Sequence, residues 1–244
     1  MKTKISFANM ATITLAACAL TAACKSSNGS GYEQDTVRAK DGTKITLTFY
    51  NHASIAVEAN GYRIYIDPAD ATKKIAWNQE PKADLVLVTH THYDHLSKDA
   101  IMSLNGTGEY TQLKPGESLD AFKNIRIDAV PAYNITPGHL NFHPKERGDA
   151  GYILTIGGSR IYVAGDTEDN PDVLALRDID IAFLPVNQPY TMTVEQCARV
   201  IDSMRPTVFY PYHYGGGSPQ NTTDLEALKA AVEGKTQFRL RSLE

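Results

Sequence analysis

Residues 89–95 read Thr-His-Thr-His-Tyr-Asp-His and place three imidazoles and one carboxylate in one short stretch. The whole chain has seven histidines, so three of them here is a concentration that an ordinary polar loop does not explain. Imidazole and carboxylate groups are the ligands of zinc and similar divalent metals. The stretch directly follows the apolar run Asp84–Val88, which predicts a short strand buried on both faces. We therefore predict a metal site at the end of this strand.

The spacing inside the stretch supports that prediction. His90 and His92 are two residues apart, so an extended backbone points both side chains to the same side. Asp94 and His95 lie beyond the strand end, where a turn can direct them differently. The string resembles the His-x-His-x-Asp-His signature of the metallo-β-lactamase superfamily, and the resemblance extends over about residues 44–240.

This resemblance implies a fold, a class of reaction and a set of ligands. The fold is an α/β architecture, a four-layer αββα sandwich, and the reaction is hydrolysis that depends on one or two metal ions. By resemblance, His90 and His92 belong to the first metal site, and Asp94 and His95 belong to the second. Zinc is the first choice of ion, but manganese and iron accept the same ligands.

Two further motifs follow predicted strands, in the order that the family has them. Asp166 lies in Ala-Gly-Asp-Thr at residues 164–167. The resemblance to the family implies that a carboxylate at this position bridges two cations. True β-lactamases commonly carry a different ligand at this point, so Asp166 argues against antibiotic hydrolysis. His213 follows the predicted strand Thr207–Tyr210, precedes a run of glycines and matches the last metal-binding histidine of the family.

One expected ligand is harder to assign. Many relatives have a histidine directly after the strand that ends near Val130, where this chain has Asn134. The surrounding sequence resembles a subgroup that includes proteins similar to L-ascorbate-6-phosphate lactonase. We expect His143 to replace the missing ligand, because imidazole binds a borderline cation better than an amide oxygen does. Asn134 is the second candidate and His139 is the third.

Two other residues are candidates for supporting roles around the metals. Asp67 resembles a family aspartate behind the metal loop, where a carboxylate can orient ligand histidines. An aspartate in a strand-end turn is the alternative interpretation. His52 resembles a subgroup motif and is a candidate to face the pocket. Together with Asn134, these residues are expected to orient the metal ligands or to contact the substrate.

The pattern of predicted elements agrees with the implied fold. Apolar runs on both sides of Asn60-Gly61 and of Gly157-Gly158 predict two hairpins. The segment 193–204 begins with a capping box and continues with apolar residues at helical spacing, which predicts a helix. Hairpins mixed with strand–helix alternation indicate two sheets with helices outside.

The N-terminal residues differ from the rest of the chain. Residues 1–23 combine two lysines with an uncharged stretch, and Cys24 follows two alanines, which resembles a bacterial lipoprotein signal. Lipidated Cys24 would then anchor an exported protein to a bacterial membrane. Cleavage at Cys18 and an uncleaved membrane anchor are the alternatives. We expect 24–43 to be a polar tether and 44–244 to be the hydrolase domain.

The composition and net charge of the chain exclude some classes of partner. The chain has 244 residues, 42% hydrophobic residues and a net charge of −4. A net negative charge makes nucleic acid an unsuitable partner, so we expect a small-molecule substrate. We expect hydrolysis of an ester, lactone, amide or phosphodiester by a metal-activated water, with Asp94 or Asp166 as the catalytic carboxylate that carries the proton. The alternative is a lipoprotein of the same fold that binds a metal or small molecule without turnover.

Overall fold

The computed structural model describes residues 31–215 and 223–244. Within these residues, one sheet has five strands in the order β1-β2-β3-β4-β5. Their bounds are β1 Glu33–Arg38, β2 Lys44–Asn51, β3 Ser54–Ala59, β4 Tyr62–Ile66 and β5 Leu85–Leu87. Neighbouring strands are antiparallel, except that β4 and β5 are parallel. The predicted hairpin around Asn60-Gly61 is confirmed as β3 and β4.

The other sheet has seven strands in the described part of the chain, in the order β12-β11-β10-β9-β8-β7-β6. Their bounds are β6 Ser118–Phe122, β7 Ile125–Pro131, β8 Ala150–Ile156, β9 Ser159–Val163, β10 Ile181–Pro185, β11 Val208–Tyr212 and β12 Gln237–Phe238. Strands β6 to β9 form an antiparallel meander, whereas β9 to β12 are parallel. The change of direction places the carboxyl ends of β9, β10 and β11 at one edge.

Helices cover the outer face of each sheet. They are α1 Lys98–Asn105, α2 Pro171–Leu174, α3 Val194–Met204 and α4 Leu225–Ala231, with short 3₁₀ turns at Trp77–Gln79 and Lys145–Arg147. Apolar side chains of the two sheets pack against each other in the central core. A second cluster joins the larger sheet to α2, α3 and α4, and a third joins the smaller sheet to α1. These four layers confirm the expected αββα sandwich.

Helix α3 shows how local sequence determines an element. The Thr193 hydroxyl accepts a hydrogen bond from the Gln196 backbone amide, and the Gln196 side chain accepts one from the Thr193 backbone amide. This capping box satisfies two amides that the first turn of a helix leaves without partners. Cys197, Ile201 and Met204 are buried on the face that packs against the sheet. The predicted helix at 193–204 is confirmed.

The predicted boundary between the polar tether and the hydrolase domain is wrong. The sequence predicts a polar tether over 24–43, but Glu33–Arg38 forms β1 and pairs with β2 in antiparallel register. Asp35 of this strand is 1% exposed, and its carboxylate accepts hydrogen bonds from the Arg239 and Arg241 side chains. Such distant partners allow a charged residue to be buried in a strand that looks polar.

The expected signal segment, with Cys18 and Cys24, lies outside the described residues. Among the residues that are described, no helix is long and apolar enough to span a bilayer.

Candidate metal centre

The histidine-rich stretch leaves β5 at the edge of the smaller sheet, and Asp67 fixes its start. The Asp67 carboxylate accepts hydrogen bonds from the Thr89 backbone amide and from the Thr89 hydroxyl, both at 2.7 Å. The same carboxylate lies 2.8 Å from His95 Nδ1. Asp67 is completely buried, so these contacts anchor the loop and orient the His95 ring. This position agrees with the supporting role expected for Asp67.

The larger sheet supplies the opposite side of the site. Asp166 follows β9, and His213 follows β11. Gly165 has φ +64°, and a Cβ there would lie 3.1 Å from the Thr89 Cβ. Glycine therefore lets the strand end turn and approach the metal loop closely. His213 itself has φ +46° and donates its backbone N–H to the His52 carbonyl.

The structure brings the six residues of the main sequence motifs into one cluster, and His143 joins them. The ligand atoms of three groups lie close enough together to hold a metal ion. These groups are His90, His92, His143 and Asp166; His95, Asp166 and His213; and His52, Asp94 and His213. The first two groups share Asp166, and the last two share His213.

Asp166 is at the centre of this cluster. Its Oδ2 lies 3.2 Å from His143 Nε2 and 3.3 Å from His213 Nε2, and its Oδ1 lies 3.3 Å from His95 Nε2. Two ligands at tetrahedral angles around a metal, each about 2.1 Å from it, are roughly 3.4 Å apart. The spacing of Asp166 from these imidazoles therefore suits a bridging carboxylate between two cations.

The hydrogen bonding of the cluster provides a test of whether a cation fits. Several buried atoms that face the cluster have no hydrogen-bond partner among the described residues. They are the Nε2 atoms of His90, His95, His143 and His213, and Asp166 Oδ1. Buried polar atoms in folded proteins are nearly always paired, because an unpaired one costs about 1–3 kcal/mol. A divalent cation would satisfy these atoms together, so the donor set fits the metal that the motif implies.

Nearby carboxylates favour the charged form of two imidazoles in the cluster. Burial disfavours a charged His95, but the Asp166 and Asp67 carboxylates outweigh burial and hold its pKa well above the ordinary value. Burial also opposes the charged form of His213, yet Asp166 raises its pKa to about 9. Protons on these imidazoles balance the carboxylates, and a bound cation would displace them.

Asp94 occupies the solvent side of the cluster. Its side chain is 18% exposed, and its Oδ2 lies 3.5 Å from His52 Nε2 and 3.7 Å from His213 Nε2. Burial opposes ionisation of Asp94, but contacts with His213 and His52 hold its pKa far below the usual range. Asp94 is therefore a carboxylate that both the cluster and the cavity can reach.

His143 reaches the cluster, as the sequence predicts. It is 1% exposed, and its Nδ1 lies 3.1 Å from the Tyr190 carbonyl oxygen. The Asn134 backbone amide donates to the His143 carbonyl, so the loop doubles back and places the two residues side by side. The Asn134 side-chain amide donates to the carbonyls of Tyr190 and His139, which makes Asn134 a brace for this loop.

His139, the third candidate, is not in any of the metal-binding groups. Its Nδ1 lies 3.5 Å from Glu168 Oε1. Glu168 is completely buried, and its other oxygen accepts from the backbone amides of Ile135 and Thr136. These contacts hold the loop that carries His143.

His52 faces the pocket, as expected, from the turn between β2 and β3. Its ring packs on that of His213 with centroids 3.7 Å apart. Its Nδ1 lies 2.8 Å from Glu244 Oε1. The backbone φ is positive at His52, Asp67 and His213, a conformation that costs a side-chain-bearing residue about 1 kcal/mol or more. Strain of this kind is typical of functional sites.

A cavity of about 540 Å³ opens over the cluster. Aromatic side chains form part of its wall, with the Phe142 and Tyr190 rings edge to face and their centroids 4.9 Å apart. The Tyr93 side chain lies at the cavity and is 82% exposed. The cavity lining therefore combines metal-binding polar groups with apolar aromatic surface.

Three contacts of the site were not predicted from the sequence. Arg147 Nη1 lies 2.9 Å from His92 Nε2, Glu244 contacts His52, and the Tyr190 carbonyl contacts His143. Arg147 is only four residues after His143, but an arginine in a polar loop carries no distinctive signal. Glu244 and Tyr190 are distant in sequence from the histidines that they contact, so only the folded chain reveals them.

The fold and the cluster together define a class of protein, the metallo-β-lactamase superfamily. A model of the beta-lactamase superfamily domain matches residues 46–213. The chain belongs, within this superfamily, to the UPF0173 metal-dependent hydrolase family, which confirms the expected class of enzyme. A member from Methanoculleus marisnigri is 30% identical over 82% of this chain and 93% of its own length.

Solved structures agree with this family. A Parabacteroides distasonis protein, provisionally named a metal-dependent hydrolase, is 39% identical with a TM-score of 0.79 and covers 87% of this chain and 100% of its own. Igni18, a metallo hydrolase from Ignicoccus hospitalis, is 25% identical with a TM-score of 0.68 over 82% of this chain and 95% of its own.

Proposed function

We propose that this protein hydrolyses a small ester, lactone, amide or phosphodiester with one or two divalent cations held by the cluster. The observation that carries the proposal is a set of buried imidazole nitrogens beside Asp166, under a cavity, that have no hydrogen-bond partner among the described residues. Bound divalent ions supply Lewis acidity, which makes water a nucleophile at neutral pH and polarises the substrate's carbonyl or phosphoryl oxygen. Zinc is our first choice, since imidazole dominates the ligand set.

The chain's own residues divide the remaining work. One ion would be held by His90, His92, His143 and Asp166, and the other by His95, His213 and the same Asp166. Both Asp94 and Asp166 line the cavity, but the Asp94 side chain is 18% exposed and that of Asp166 only 3%, so the Asp94 carboxylate is better placed to accept a proton from attacking water. Asp94 would therefore carry the proton, and Asp166 would help to hold both ions.

The cavity favours a substrate with an apolar part. Phe142, Tyr190 and Tyr93 offer aromatic surface beside the cluster, and stacking against such rings stabilises apolar groups. Within the proposed substrates we place lactones first, because the motifs Tyr133-Asn134 and His143-Pro144-Lys145 resemble those of the subgroup that includes proteins similar to L-ascorbate-6-phosphate lactonase. His143, which belongs to the second motif, lies at the cluster. This position supports a site arranged as in that subgroup.

Metal removal and reconstitution test this proposal. The purified protein is stripped with a chelator, divided, and reloaded with zinc, manganese or iron. Each sample is assayed with an aryl lactone, an aryl ester and a phosphodiester. We expect stripping to reduce hydrolysis more than about 100-fold and one metal to restore it, because the bound ions would supply the activated water that attacks the substrate. Metal binding without turnover of any substrate would favour the non-catalytic alternative.

We also propose that the mature protein is exported and anchored to a membrane through lipidated Cys24. The N-terminal sequence alone supports this. Expression in a bacterial host with a labelled fatty acid should label the wild-type protein and leave Cys24→Ala unlabelled in the soluble fraction. Cys18→Ala is the matched control and should remain labelled; the reverse result would move the cleavage site to Cys18.

A further inference from the structure

Four histidines of the cluster share one pattern of hydrogen bonding. Each has an acceptor on Nδ1, the nitrogen away from the cluster. The acceptors are the Thr89 hydroxyl for His90, Asp67 for His95, the Tyr190 carbonyl for His143 and Glu244 for His52. An acceptor at Nδ1 keeps the proton of a neutral imidazole on that nitrogen and leaves the Nε2 lone pair free. All four rings are therefore prepared to bind a cation through Nε2.

His92 has the opposite environment, because its neighbour is a cation. Arg147 Nη1 lies 2.9 Å from His92 Nε2. A guanidinium group only donates hydrogen bonds, so Nε2 must be the acceptor. The neutral ring then carries its proton on Nδ1. One nitrogen of His92 is occupied by Arg147 and the other by a proton, so neither offers a free lone pair to a metal.

The position of Arg147 is fixed by a second contact. Its Nε lies 2.9 Å from Asp149 Oδ1 and 2.7 Å from Asp149 Oδ2, and Asp149 is 4% exposed. This buried carboxylate holds the guanidinium against the imidazole.

We propose that Arg147 competes with the metal ion for His92 and makes the two metal positions unequal. This inference rests on the metal centre of the proposed function. The position formed by His95, Asp166 and His213 fills first. The position that includes His90, His92 and His143 reaches full coordination only when Arg147 withdraws from His92.

Removal of Arg147 should therefore strengthen metal binding, a result that loss of folding cannot produce. Metal-free wild type, Arg147→Gln and Lys145→Gln are titrated with zinc in a calorimeter. We expect wild type to bind one ion tightly and a second weakly. Arg147→Gln should tighten the weaker affinity about tenfold, the scale on which contacts behind metal ligands act, and leave the tighter one unchanged.

Lys145→Gln separates this competition from a general effect of charge. It removes the same positive charge two residues away, where Lys145 Nζ contacts the Tyr133 hydroxyl and no residue of the cluster. We expect its zinc affinities to stay within about twofold of wild type. The double variant Arg147→Gln/Asp149→Asn, which leaves no buried carboxylate without its partner, should show the same gain as Arg147→Gln.

A spectroscopic measurement examines the hydrogen bond directly. In the metal-free wild type, nitrogen chemical shifts of the His92 ring should show the proton on Nδ1 and an accepted hydrogen bond at Nε2. In Arg147→Gln the shift of Nε2 should change, while that of His143 should not.

Distinct outcomes separate failure of this inference from failure of the proposed function. Two equally tight ions in wild type, or unchanged or weaker zinc binding in Arg147→Gln, would overturn the competition and leave the hydrolase proposal intact. An equal gain in zinc affinity in Lys145→Gln would show that loss of a positive charge, and not release of His92 by Arg147, strengthens metal binding. Wild type that binds no zinc, manganese or iron would overturn both.

Discussion

Asp166→Asn is expected to remove metal binding at both positions and to reduce hydrolysis by more than about 100-fold. The Asp166 carboxylate lies within 3.3 Å of Nε2 atoms of His95, His143 and His213, so it is common to both sites. Loss of a contact behind a metal ligand typically costs 10–100-fold, and loss of a bridging ligand should cost more. Metal content of the purified variant and its turnover of the best substrate measure this effect.

Asp169→Asn is the matched control, since Asp169 is also a buried acid in the same loop. Its carboxylate pairs with the Arg199 side chain, and it is not in the metal-binding groups. We expect its metal content to equal that of wild type. Full metal content in Asp166→Asn would show that Asp166 is not a bridging ligand.

His143→Ala is expected to have the second largest effect. It should lose the ion held with His90, and activity should fall in parallel, by more than about tenfold. The reason is its buried Nε2, which has no partner among the described residues and lies 3.2 Å from Asp166 Oδ2. Metal content and the unfolding temperature of the metal-free protein are measured together. Loss of a metal ligand should lower the metal content and leave the unfolding temperature unchanged.

Asn134→Ala and His139→Ala test the competing assignments for this ligand. Asn134 braces the loop through backbone carbonyls, so its loss should lower the temperature of unfolding and change metal content less than His143→Ala does. His139→Ala should leave metal content unchanged. Normal metal content in His143→Ala would refute the assignment, and a larger loss in Asn134→Ala would transfer it to the amide.

Local sequence predicted most of the fold because most elements depend on nearby residues. The hairpin of β3 and β4 follows from apolar alternation around Asn60-Gly61, and helix α3 follows from its capping box. Strand β1 was missed because Asp35 is buried only with the help of Arg239 and Arg241, about two hundred residues away. The edge strand β6 was missed because its side chains are exposed or half-buried and show little apolar pattern.

In the site, too, features that depend on neighbouring residues could be predicted, and those that depend on the folded chain could not. His90, His92, Asp94 and His95 form a continuous motif at a strand end, so their convergence could be predicted. His143 could be predicted from chemistry, since an imidazole is a better ligand than the neighbouring amide. The contact between Arg147 and His92 could not be predicted, because it depends on how the buried carboxylate of Asp149 directs the guanidinium.

Anomalous diffraction from zinc-loaded crystals, recorded on both sides of the zinc absorption edge, tests whether the cluster is a metal centre. We predict the strongest anomalous peak about 2.0–2.2 Å from His95 Nε2, His213 Nε2 and an Asp166 oxygen. A second, weaker peak is predicted near His90 and His143. Loaded crystals with no peak within coordination distance of His213 and Asp166, or with peaks only elsewhere on the protein, would contradict the claim that this cluster is a metal centre.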